Sequence, residues 1–170
     1  MLSELIQSGI MDIQDTTFDR AERCPECGGA LAGHDIKRKK FATVLEDGNP
    51  KEVCVNVKRF RCRECGKLVY AKSPFYSGIR TGTPIVDFCI ANKNRHPANH
   101  ISKILKNMSI FVNPGSVRNY ERSDIPSPQS VEFFGINFPI SLLNLSGTGI
   151  PDSDQTKSML MMQMIMQKRR

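Results

Sequence analysis

Two short motifs constrain this chain more than any other part of it: Cys24-Pro25-Glu26-Cys27 and Cys62-Arg63-Glu64-Cys65, each followed by a glycine, Gly28 and Gly66. Two residues between thiols let one tight turn aim both sulfurs at a single ion. A glycine behind the second cysteine lets the backbone fold back beneath it. Two such turns supply four thiolates in a closed tetrahedron, the arrangement of a structural zinc site. Cys24, Cys27, Cys62 and Cys65 are therefore the expected ligands of Zn(2+). The competing readings are a disulfide pair or two separate redox motifs; the chain has no secretory features, which favours metal. His34 could also ligate, but four cysteines fill the tetrahedron and leave it as a surface or loop histidine. Four thiolates leave no open position for water, so a catalytic zinc is not expected.

The gap between Cys27 and Cys62 is 34 residues, longer than the usual spacer of about 15–20. It reads as a β-hairpin. Phe41 to Glu46 is one strand, Asp47-Gly48-Asn49-Pro50 a turn, and Val53 to Arg61 the second strand, with Val53, Val55 and Val57 alternating onto one face. Cys54 and Cys89 read as small buried hydrophobes. The composition fits small modules better than one large core, with 39% hydrophobic residues and no tryptophan.

The formal net charge of +7 is unevenly placed. Residues 1–21 carry one Arg against four acids, whereas residues 22–73 carry twelve Lys or Arg against seven. Residues 74–124 carry seven against three. A basic middle attracts a phosphate backbone. Lys37-Arg38-Lys39-Lys40 opens the first strand, and Lys58, Arg59, Arg61 and Arg63 lead into the second cysteine pair; in a hairpin both groups are expected near the cysteine end, as phosphate contacts.

Three helices are expected after the connector at 73–78. Thr83-Pro84 reads as an N-cap and first-turn proline of a helix to about Asn92, with Ile85, Phe88 and Cys89 buried. His96-Pro97 restarts a helix in which Ile101, Ile104, Leu105 and Met108 follow the helical period. Asn113-Pro114 opens a third, to about Arg122, with Val117 and Tyr120 inward and Ser116, Arg118, Asn119 and Arg122 outward. Two helices around a turn at 109–112, the second polar and basic outside, form a helix-turn-helix pattern. Arg118 and Asn119 suit guanine and adenine edges. Nearer the N-terminus, Leu2, Leu5, Ile6, Ile10 and Ile13 are spaced as a weak amphipathic helix. Residues 125–170 are interrupted by prolines. Val131 to Leu145 has room for one or two short extended segments, and five of the eight methionines crowd 158–166, as a helix seeking a partner or the product of a disrupted reading frame. No stretch is long enough to span a bilayer.

The order Cys24–Gly28, a basic hairpin, Arg61–Lys67, then Ile101-Ser102-Lys103-Ile104-Leu105 and Ser116-Val117-Arg118-Asn119-Tyr120 resembles the N-terminal DNA-binding part of prokaryotic insertion-sequence transposases. The likeness covers about residues 22–124. It implies a zinc ribbon and a helix-turn-helix that bind terminal inverted repeats in double-stranded DNA. A separate ribonuclease-H-like domain supplies three carboxylates and two metals in such enzymes. After Asp124 the acids are Glu132, Asp152 and Asp154, in a tail that does not suit two-metal chemistry, so the resemblance implies a chain truncated before catalysis and not itself an enzyme.

The expected fold is a small α+β assembly: an N-terminal arm or short helix over 1–21, a four-cysteine zinc ribbon over 22–73, a three-helix helix-turn-helix domain over 78–124, and a linker or truncated, poorly structured tail over 125–170. The expected function is zinc-dependent, sequence-specific DNA binding by a cytoplasmic, nucleoid-associated protein, with self-association through the tail. A free-standing transcriptional regulator, or a zinc-ribbon module that docks on transcription or translation machinery, is the alternative.

Overall fold

The computed structural model describes residues 2–145 of the chain and is a small α+β structure. Its backbone is one long antiparallel hairpin, β2 (Leu31–Glu46) with β3 (Asn49–Cys62). The two-residue loop is Asp47-Gly48, with φ of 51° and 79°, the left-handed pair whose twist matches a hairpin. Helix α1 (Leu2–Asp12) and the short strand β1 (Thr17–Phe18) precede it, and β4 (Leu68–Tyr70) follows. Strand β3 is central: β2 pairs on one edge, and β1 (parallel) and β4 (antiparallel) share the other.

The strands extend beyond what the sequence indicates. Asn49 and Pro50 belong to β3 rather than the turn, opposite Glu46 and Leu45. In a two-residue hairpin the closing pair is hydrogen-bonded and the next pair is not, so proline at 50 forfeits no ladder bond. Lys37–Lys40 lie within β2, which begins at Leu31. Pairing with β3 holds this segment extended although it lacks apolar alternation.

Helices α2 (Thr83–Asn92), α3 (Ala98–Asn107) and α4 (Pro114–Glu121) follow. The cap of α2 is Gly82, and Thr83 is its first helical residue. Gly82 is fixed in an extended conformation by its N–H to the Phe41 carbonyl at 2.8 Å and its bridge to Phe75, which displaces the cap by one residue. Similarly, Pro97 caps α3. Helix α2 is the buried centre: Pro84 through Ile90 and Asn92 are all buried, a wider face than Ile85, Phe88 and Cys89 alone. Around it pack α3, α4, a second hairpin of β5 (Ser130–Phe133) and β6 (Ile136–Pro139), and the short α5 (Ile140–Asn144). These last elements correct the expectation of a linker or poorly structured tail from 125 onward: 130–144 form a hairpin and a helix whose Val131, Phe138, Leu142 and Leu143 join the buried cluster.

A single buried cluster joins Ile6 and Ile10 of α1, Phe41, Val44, Val53, Val55 and Val57 of the hairpin, α2–α4, and Phe138, Leu142 and Leu143. Two polar ties lock α2 inside it. Asn92 Nδ2 donates to the Asn137 carbonyl at 2.8 Å and its Oδ1 accepts from the Asn137 N–H at 2.9 Å. Asp87 accepts from the Tyr76 hydroxyl and, at 2.6 Å, from Ser141 Oγ. The α3–α4 turn is stitched to β2: the Leu45 N–H donates to the Ser109 carbonyl, and the Phe111 N–H to that of Thr43, each at 2.8 Å. No helix among the described residues is long and apolar enough to cross a membrane. The methionine-rich segment at 158–166, with its expected self-association, and Asp152 and Asp154 lie outside the described residues.

Candidate metal centre and its basic surroundings

The two cysteine motifs fold into matching loops at the open end of the long hairpin. In the first, the Cys24 N–H donates to the Gly29 carbonyl and the Gly28 N–H to that of Cys24. In the second, the Cys62 N–H donates to Lys67 and the Gly66 N–H to Cys62. Gly28 and Gly66 take φ of 72° and 73°, the left-handed turn that glycine adopts without penalty. Gly29 has a different role: a Cβ there would lie 2.9 Å from Cys62 Sγ and 3.0 Å from the Glu64 side chain. The Arg63 N–H donates to the Ala30 carbonyl at 2.9 Å and ties loop to loop. Lys67 pairs with Glu26 across them.

The sulfurs of Cys24, Cys27, Cys62 and Cys65 all lie within 4.8 Å of one another. Cys24–Cys65 is 3.7 Å and Cys27–Cys62 3.4 Å, and all four are free thiols rather than disulfides. Zn–S bonds of about 2.3 Å in a tetrahedron would set sulfurs about 3.8 Å apart, so the spacing fits one ion, and the four cysteines could hold a metal. Cys24 and Cys62 are buried and Cys27 and Cys65 exposed, so the site opens on one side.

Hydrogen bonds within the cysteine cluster separate the thiol pKa values. The backbone N–H groups of Cys65 and Glu64 favour the Cys62 thiolate and bring it down to about 6. For Cys27 the Gly29 N–H acts in the same sense, but Cys62 and burial outweigh it and push Cys27 up to about 12. Cys65 is also raised: burial and Cys62 outweigh the Lys67 N–H. Metal uptake must displace these protons, so binding tightens as pH rises.

The basic residues of the hairpin do not form one surface. Side chains alternate faces along a strand. Lys37 and Lys39 pair in register with Val57 and Val55, whereas Arg38 and Lys40 pair with Asn56 and Cys54 on the opposite face. The tetrad is thus split, and sits mid-hairpin rather than at the cysteine end. Three of the eight expected hairpin contacts already face carboxylates. Arg38 Nη1 donates to Asp15 Oδ1 at 2.6 Å, Lys40 Nζ lies 3.5 Å from Glu52, and Arg59 holds Asp35 with two bonds, one of 2.6 Å. Those pairs hold Asp15 and Asp35 below the usual carboxylate range. Lys58 lies 5.3 Å from the Phe60 ring centre, and Arg61 donates to the Gly66 carbonyl at 3.3 Å. Lys37 and Arg63 are exposed and make no ion pair among the described residues.

Helix α4 starts where the sequence predicts, but Ser116, expected outward, is half-buried beside Tyr120. Asn113 caps it through Oδ1, which accepts from the Ser116 N–H at 2.8 Å. Val117 is buried, Tyr120 and Ser116 half-buried, and Arg118, Asn119 and Arg122 exposed. Asn99 of α3, which sequence reasoning did not single out, accepts from Arg118 Nη2 at 3.0 Å. Also missed were Tyr70, Lys72, Phe75 and Arg80. Their signal, aromatics interleaved with cations, lies in the strand β4 and the segment read as a plain connector. His34 is exposed in β2, Cys54 half-buried and Cys89 buried. No protein-family model matches the chain, and no curated protein or solved structure matches it.

Proposed function

We propose that this chain is a zinc-dependent, sequence-specific binder of duplex DNA, of the kind that recognises the terminal repeats of a mobile element. The observation that carries the reading is the solvent face of α4. Arg118, Asn119 and Arg122 lie outside while Val117 anchors the helix on α3 and α2. An arginine can take guanine O6 and N7 together, and an asparagine adenine N6 and N7. Asn99 orients the Arg118 guanidinium before DNA arrives. In this reading α3 and α4 form the helix-turn-helix, with exposed Lys103 and Lys106 near the phosphates.

Cys24, Cys27, Cys62 and Cys65 would hold the zinc, and the hairpin would add phosphate contacts through Lys37, Lys58, Arg61 and Arg63, four of the five expected cations not already facing a carboxylate.

Selection from random duplexes followed by mobility shift tests the reading. Zinc-loaded protein should enrich one motif, protect it in footprinting, and bind less as salt rises. The absence of any enriched motif would overturn it, and so would a mobility shift unaffected by a chelator that strips the metal.

A further inference from the structure

We propose that the groove between the hairpin and residues 70–80, with the groove on the other side of Tyr70, is a track for a single polynucleotide strand. Lys37 and Lys39 share the β2–β3 face that residues 70–80 cross. Lys39 Nζ sits 4.1 Å from the Phe75 ring centre and 5.5 Å from that of Tyr70. With Lys72 and Arg80 they line a groove of about 570 Å³. A second groove of about 530 Å³ shares Tyr70 and Lys72 and reaches Arg23, Cys24 and Pro25 at the first cysteine loop. Between them the two grooves carry five cations, Arg23, Lys37, Lys39, Lys72 and Arg80, and one carboxylate, Glu22, 3.8 Å from Lys72 with both side chains at least 80% exposed.

Tyr70 stands where the two grooves meet and is 45% exposed. A cationic groove with an exposed aromatic face binds unpaired strands, because phosphates follow the charge and a base stacks on the ring. A duplex keeps its bases paired and has none to offer a tyrosine. The Tyr76 hydroxyl is turned inward to Asp87, so that residue adds ring surface rather than a donor. This surface is separate from α4, and the proposal does not depend on the duplex reading.

The test is fluorescence anisotropy of the full zinc-loaded chain with labelled oligothymidylate and oligouridylate of about 15 nucleotides, the upper range of one such groove. Both should bind, less tightly as salt rises, and the tighter of the two identifies the strand as DNA or RNA. Tyr70→Ala should weaken the tighter complex about 5- to 150-fold, Tyr70→Phe should retain it, and Lys72→Ala with Arg80→Ala should flatten its salt dependence. Binding of neither oligomer, full affinity in Tyr70→Ala, or equal losses in Tyr70→Phe and Tyr70→Ala would each overturn the proposal.

Discussion

A methyl group at position 82 would sit 2.3–2.7 Å from the ring carbons of Phe41. That ring has nowhere to go: Phe41 is fully buried and packs edge-on against Phe75 at 6.0 Å. The backbone of Gly82, at φ of −57°, suits any residue, so Gly82→Ala isolates overpacking and should cost about 1–3 kcal/mol in thermal denaturation. Gly48→Ala makes the opposite case, with open space but φ of 79°, and should cost about 1–2 kcal/mol from backbone strain alone. Gly29→Ala should leave the melting of the core unchanged and weaken metal retention against a competing chelator, because its methyl meets Cys62 Sγ. Cys89 gives a pH effect. Burial raises its thiol from 9.0 to about 12, so the folded state keeps a proton that the unfolded chain loses above pH 9. Stability is then full below pH 9 and falls between about pH 9 and 12. Cys89→Ala should lessen that alkaline decline in a melting series, whatever it costs at neutral pH.

At the scale of elements, what the sequence discloses is local. Asn113-Pro114 specifies the start of α4 because an oxygen-bearing cap and a first-turn proline act within one turn; Asn113→Ala should cost about 1 kcal/mol of stability. Asp47-Gly48 specifies the hairpin in the same way, and the cysteine spacing specifies both cysteine loops. What stays hidden is long-range. Leu31 to Lys40 is a strand only because β3 lies beside it, and β1 and β4 are too short to carry a pattern. The irregularity between Lys40 and Ala42 resets the alternation, so no count along the chain would show which lysines face which side. Asn92 looks like a polar residue ending a helix, yet it joins α2 to β6. Asn92→Ala strands the half-buried Asn137 N–H and carbonyl and should cost about 1–3 kcal/mol, measurable by denaturant unfolding.

Across the whole molecule, the buried cluster lies in the tip half of the hairpin and the helices, and includes none of Cys24, Cys27, Cys62 and Cys65. A metal held by these cysteines and the core would therefore support different ends. Stripping the metal should erase the amide signals of residues 22–33 and 60–68 in a heteronuclear spectrum and leave those of Val55, Ile85 and Phe88 in place; loss of the whole spectrum would show instead that the metal holds the core. The proposed division of labour has the thiolates shape the basic end of the hairpin while α4, packed on α2 and α3, reads the bases. The most direct test is the affinity ratio between a selected duplex and a random one, measured for the wild type and for Arg118→Ala with Asn119→Ala. Two bidentate contacts of about 1–3 kcal/mol each predict that the variant loses most of the discrimination while its binding to the random duplex persists. A variant that discriminates as well as the wild type would contradict the account, and would leave the helices as a scaffold for docking to protein.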